Sequence, residues 1–398
     1  MNDYGIKRST ISIPAREMIS DIIKKIEHAV KSYTHFTIKY IGTFSEVKKG
    51  IHYENILKDM KDDIENLPKM GRQFSFSIGS RIFNIFFIKP CKEKASSTMD
   101  KDFDKYCKKN IKKIYIWLFA ICQYANNECS QNLNIYIYLT DHKKKLPETI
   151  HEPLEEIHAN SAFTMACPIV SNEINIFREE EWFKVFIHET FHSFGMDFAR
   201  MDEKETNTKM FSIFPVITNG IRFYEAYTEF WAEVINIIMI SVNSHPCNKG
   251  HLDMEIVFEN IRSHLYDEQV FSMFQCTKVL RHFGLQYREL YDSGKHAAHK
   301  RNSRYREKTY IFSYYILKCI MMYYYNDFIK LCYKNNNKSI QFTKTQSNID
   351  SFIYFIKQRY NSHEFLRTIH IFEDAELHTL FGNDEKRNEK TMRMSITE

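Results

Sequence analysis

Between positions 14 and 33 the apolar residues Met18, Ile22, Ile23, Ile26 and Val30 recur every three or four positions behind Pro14, which predicts an amphipathic helix. The run FTIKYIGTF (36–44) reads as a strand, and 52–66 as a second amphipathic helix. Apolar and polar residues alternate over 72–90 on both sides of Gly79, the pattern of a β-hairpin. The segment 91–102 is polar and aperiodic and predicts a linker. Residues 1–95 are thus expected to form an α/β region.

Beyond the linker the period changes repeatedly. Residues 103–127 read as helix, NLNIYIYLT (132–140) as a strand, and 161–177 as one or two more strands. Helices follow at 179–194 and at about 221–240. From 251 to about 371 nearly everything reads helical, and 383–398 reads as a polar, disordered tail. The expected class is α+β. Its expected parts are a second region at 96–245 with a small sheet and two helices, a helical region at 246–382, and the tail.

Composition refines this modestly. Gly (11) and Pro (8) are sparse in 398 residues, against a combined average usage of about 12 %, which favours long elements. The bias to Lys, Asn and Ile fits an AT-rich genome and carries no functional information. The formal charge is +5, spread thinly. Lysine runs such as 107–115 and 142–147 read as solvated faces, and no nucleic-acid-binding motif accompanies them, so no specific nucleic-acid partner is expected. Nine cysteines without a C-x-x-C pair argue against a disulfide framework or a thiolate zinc site, and fit a reducing compartment. The N-terminus lacks the apolar core of a signal peptide. The most apolar run, 310–332, is interrupted by Lys318 and by Asn326-Asp327, and predicts a buried helix rather than a membrane span. An intracellular location is the expectation.

The chemistry concentrates at His188-Glu189-Thr190-Phe191-His192. On a helix, i and i+4 stack on one face, so the two imidazoles can meet one ion while Glu189 stands one residue round, placed as a base. Glu179, Glu180 and Glu181 suit the start of such a helix and Gly195 its stop. A third ligand must decide whether the motif binds metal. In the short-spaced geometry it would fall at 198, which is Phe198; Asp197 is one residue early. In the long-spaced geometry it is a glutamate on a second helix. Glu225, Glu229 and Glu233 recur at i, i+4 and i+8 among Phe223, Tyr224, Tyr227, Phe230 and Trp231. Charges at helical spacing usually mark a solvated face. So aromatic a helix leaves little room for one, and a buried carboxylate needs a partner.

His188-Glu-Thr-Phe-His192 followed by Glu225-Ala-Tyr-Thr-Glu229 resembles the H-E-x-x-H … E-x-x-x-D pattern of gluzincins, the thermolysin-like zinc metallopeptidases. The resemblance covers about 155–240 and implies a zincin-like catalytic domain. It implies Zn²⁺ held by His188, His192 and Glu225, with Glu189 as general base for a zinc-activated water attacking a peptide bond. Glu229 would orient an imidazole, that of His188, although the family has aspartate there. NSAF (160–163) resembles the family's edge strand, which implies that Ser161 and Ala162 pair with the substrate backbone. The family takes a further oxyanion donor from its helical part, for which His296, His299, Tyr305 and Tyr310 are candidates. The same segments look like uncharacterised gluzincin-like proteins of large DNA viruses, which would place the chain in host cytoplasm or virion. The implied partner is a peptide or protein substrate, cleaved as by an endopeptidase; the Gly-x-Met-Glu-Asn type of exopeptidase motif is absent. The competing expectation is a catalytically inactive protein of this fold, structural or binding, whose zinc staples two helices.

Overall fold

A computed structural model describes residues 4–34, 38–126, 128–244, 252–375 and 389–397. The first helix, α1 (Ile13–Tyr33), buries Met18, Ile22, Ile23 and Ile26, as its period requires. Strand β1 (Lys39–Phe44) follows. The helix expected over 52–66 is shorter: a single 3₁₀ turn at Tyr53–Asn55, extended backbone at Ile56 and Leu57, then α2 (Lys58–Asn66). Strands β2 (Lys69–Ile78) and β3 (Arg81–Pro90) form the expected hairpin, turning at Gly79 with φ +58°. Half of the expected linker is helix. The Ser96 hydroxyl accepts the Met99 N–H at 3.2 Å and starts α3 (Ser97–Ile121). Then come β4 (Asn132–Tyr138), the single turn α4 (Glu156–Ala159), β5 (Ala162–Thr164) and β6 (Ser171–Ile176).

The remaining elements are helical. They are α5 (Trp182–Ser193), α6 (Lys204–Ile213), α7 (Phe223–Asn243), α8 (Met254–His282) and α9 (Lys295–Arg304). A π-helical turn at Phe312–Leu317 leads directly into α10 (Lys318–Tyr323), followed by α11 (Tyr325–Asn335), α12 (Gln346–Arg359) and α13 (His363–Asp374). The class is α+β with a helical C-terminal region, as expected. The apolar run 310–332 is buried from Ile311 to Tyr323 and broken at Tyr324, where φ −103° and ψ 36° leave the helix. No described helix is long and apolar enough to cross a membrane.

The chain divides into two compact units that do not follow the expected blocks. One comprises 19–143 and 160–197. Its six-stranded sheet has the order β1-β2-β3-β4-β6-β5. β3, β4 and β6 run parallel, whereas β5 lies antiparallel on β6, with Ala162 opposite Ile176, and forms one edge. The long connections that parallel strands need are supplied by elements such as α3 between β3 and β4. Within this unit Cys129 and Cys167 form a disulfide. The expectation is that the cysteines form no disulfide framework; among the described residues this single pair is bonded and six cysteines are free. The pair is 38 residues apart in sequence, a distance that carries no spacing signature.

The other unit comprises 1–18, 144–159 and 198–398, so the chain from before α4 rejoins the helices that follow α5. It includes 389–397, the described part of the stretch 383–398 expected to be a disordered tail; 383–388 and 398 lie outside the described residues. Thr391 to Thr397 are instead buried. The reason lies in their backbone, whose polar groups are met by side chains. Tyr315 donates to the Met392 carbonyl at 2.6 Å, Lys318 to that of Met394 at 3.0 Å, and Asn236 to that of Thr397 at 3.0 Å. Glu268 accepts from the N–H groups of Ile396 and Thr397 at 3.1 and 2.9 Å. Composition alone does not report partners of this kind.

Candidate metal centre

α5 is buried on every side, from Trp182 to Ser193. A helix with no exposed face has to sit inside a domain, with its polar side chains partnered there, and here specific contacts fix its rotation. Trp117 of α3 donates its indole N–H to the Thr190 hydroxyl at 2.8 Å and lies near-parallel to Phe191. Thr190 in turn donates to the Ile187 carbonyl at 2.6 Å. With that face committed to α3, the i, i+4 pair His188 and His192 is directed elsewhere. Their Nε2 atoms are 3.0 Å apart, against roughly 3.3 Å for two nitrogens bound about 2.0–2.1 Å from one tetrahedral ion. Both histidines are buried, as is Glu189 between them.

α7 carries the acidic stripe. Glu225 is 7 % exposed, Glu229 1 % and Glu233 0 %, which rules out the solvated-face reading. Each carboxylate has identifiable company. Glu225 accepts a hydrogen bond from the Tyr314 hydroxyl at 3.0 Å. Glu233 pairs with Lys318 at 2.7 Å. Burial opposes the charge on Lys318, but the carboxylates of Glu233 and Glu229, with Glu268, outweigh it and hold the ammonium above its ordinary range. Tyr314 and Lys318 are four residues apart, one inside the π-helical turn and one just past it. Such turns often mark functional sites because they re-aim side chains within a helix.

His188, His192 and Glu225 each offer a ligand atom, and the three atoms lie within 4.8 Å of one another. All three residues are buried, and the group can bind a metal ion. The donor set fits one well: two neutral nitrogens and one carboxylate oxygen suit a borderline cation such as Zn²⁺, and three protein ligands are the number that leaves a coordination position open. This is the long-spaced geometry. Asp197 is not among the three; it hydrogen-bonds to Nδ1 of His192.

The other expected residues fall as follows. Ala162 opens the edge strand β5, and Ser161 immediately precedes it, buried, with its carbonyl accepting the Phe177 N–H at 2.9 Å. Glu229 is buried and belongs to the set of charges around Lys318. His296 and His299 are exposed on α9. Tyr305 donates to Glu307 at 2.8 Å, and the ring of Tyr310 lies under the Arg222 guanidinium at 5.6 Å. Sequence reasoning missed Tyr314, although it stands in the same crowded segment. Its four-residue offset from Lys318, opposite glutamates spaced by four, was the available signal. No protein family, characterised protein or solved structure matches this chain, so its chemistry rests on its own residues.

Proposed function

We propose that this chain is a zincin-like, zinc-dependent peptidase whose general base is Glu189. One observation carries the reading. A buried three-ligand group, His188, His192 and Glu225, includes a helix on which the residue beside the first ligand is itself a buried glutamate. A structural zinc site usually has four protein ligands and no use for a base. When bound, the ion supplies a Lewis acid that polarises a carbonyl and makes water acidic near neutral pH. The chain supplies the rest. Glu189 accepts a proton at its carboxylate as the nucleophile attacks and returns it to the leaving amine. Tyr314 holds one oxygen of Glu225 through its hydroxyl, fixing the carboxylate's orientation. β5 is an edge strand among the described residues, and its outer edge would pair with an extended peptide backbone.

The test combines metal analysis with turnover. Purified protein is expected to carry close to one zinc per chain and to cleave a generic peptide library, with chelator abolishing cleavage. Glu189→Gln is expected to retain the zinc and lose cleavage. Unchanged cleavage in that variant would remove Glu189 from the chemistry. Zinc without cleavage in the wild-type chain would favour the binding or structural alternative.

A further inference from the structure

Asp197 is 2 % exposed and lies five residues after His192, past the end of α5. It reaches back because the helix ends in a particular turn. Gly195 adopts φ +62°, its N–H bonds the His192 carbonyl at 3.0 Å, and the Met196 N–H bonds the Phe191 carbonyl at 2.8 Å. These two bonds form a Schellman motif, which reverses the chain over a left-handed residue that glycine supplies without strain. The next residue is then delivered to the side of the last turn. There the Asp197 carboxylate accepts a hydrogen bond from Nδ1 of His192, while Nε2 of the same ring faces His188.

We infer that Asp197 is a positioning residue of the metal centre. It fixes His192 as the Nδ1–H tautomer and leaves the Nε2 lone pair directed at the ion. The inference rests on the metal reading above and deepens it. An imidazole can donate one nitrogen to a metal only if its proton sits on the other, and a buried carboxylate locks that choice and raises ligand basicity. Here the lock is encoded locally. His192-Ser-Phe-Gly-Met-Asp197 contains the ligand, the turn glycine and the acceptor within six residues. It is distinct from the glutamate at 229, which comes from another helix.

The experiment uses the full chain with Asp197→Ala and Asp197→Asn. Zinc affinity is measured by competition with a chromogenic chelator, and imidazole tautomers by long-range ¹H–¹⁵N spectra of histidine-labelled protein, with His192→Gln to assign the signal. Asp197→Ala is expected to weaken zinc about 10–100-fold, and its His192 to lose the pure Nδ1–H signature of the wild type. Asp197→Asn, which keeps a neutral acceptor, is expected to fall between. Zinc affinity of folded Asp197→Ala within about twofold of wild type would overturn the inference, even if its melting temperature dropped, because the contact would then be structural only. So would an Nε2–H tautomer for His192 in the wild type. A wild-type chain that takes up no zinc would instead sink the metal reading, and the tautomer spectrum would still report on Asp197.

Discussion

Replacing Lys318 by methionine isolates a fully buried ion pair of the helical unit. The lysine side chain is 1 % exposed and its Nζ lies 2.7 Å from Glu233, which is fully buried. It also donates to the Ser272 hydroxyl and to the Met394 carbonyl, each at 3.0 Å. Methionine keeps the apolar stem and removes the charge. Glu229 and Glu233 would then stand buried without that cation. Breaking a buried pair by removing one partner costs about 3–5 kcal/mol, most of it the penalty of the charge left behind. Urea denaturation of the full chain, followed by its helical signal, measures the cost. In the double variant Lys318→Met/Glu233→Gln much of that loss should return, giving a coupling above about 1 kcal/mol. The pH dependence has a definite sign. Because folding raises the Lys318 pKa above 10.5, its stabilisation is in place below that value and fades as pH climbs through the folded-state value. Lys318→Met should lose that alkaline limb. A single-variant cost below about 1 kcal/mol would refute the claim that this ammonium holds the acidic stripe together.

Three further outcomes are expected. Reducing Cys129–Cys167 with a phosphine should destabilise the sheet-bearing unit, since a closed loop of 38 residues corresponds to about 4 kcal/mol of chain entropy; no change in the denaturation midpoint on reduction would contradict this. Tyr314→Phe removes the hydroxyl bonded to Glu225, and losing a hydrogen bond to a charged group costs about 1.5–3 kcal/mol; zinc affinity should fall by roughly tenfold or more, and an unchanged affinity would show that the tyrosine does not orient the ligand. Burial raises the Glu307 carboxyl from 4.5 to about 7, so its contribution is complete below 4.5 and is lost as pH rises towards and through 7; melting temperature against pH should show this decline in the wild type and a flatter profile in Glu307→Gln.

The two helices of the centre were legible because their signals are local. Glu225, Glu229 and Glu233 stand four apart among aromatics, and His188 and His192 stand four apart on an apolar run, so helical period alone put each set on one face. The hairpin at Gly79 was legible because strand alternation is also local, whereas the edge role of the strand at Ala162 was implied by the resemblance of NSAF alone. What escaped depends on how the chain turns and what it meets. The aim of Asp197 follows from the Schellman turn at Gly195, which spacing to a metal ligand does not describe. Tyr314 was hidden among equivalent tyrosines, and only a π-helical turn distinguishes it. The buried end, Thr391 to Thr397, reads as solvated because its partners, Glu268, Lys318 and Asn236, lie far off in sequence. The second half of the expected linker starts α3 because the Ser96 hydroxyl caps the helix, a signal that polar, aperiodic composition does not convey.

The most direct measurement is calorimetric titration of zinc into chelator-stripped wild type and Glu225→Ala. Three convergent ligands predict one tight site per chain in the wild type, and binding weakened by orders of magnitude when the carboxylate at 225 is removed. Equal zinc binding by the two proteins, or none by the wild type, would contradict the assignment of His188, His192 and Glu225 to a common ion.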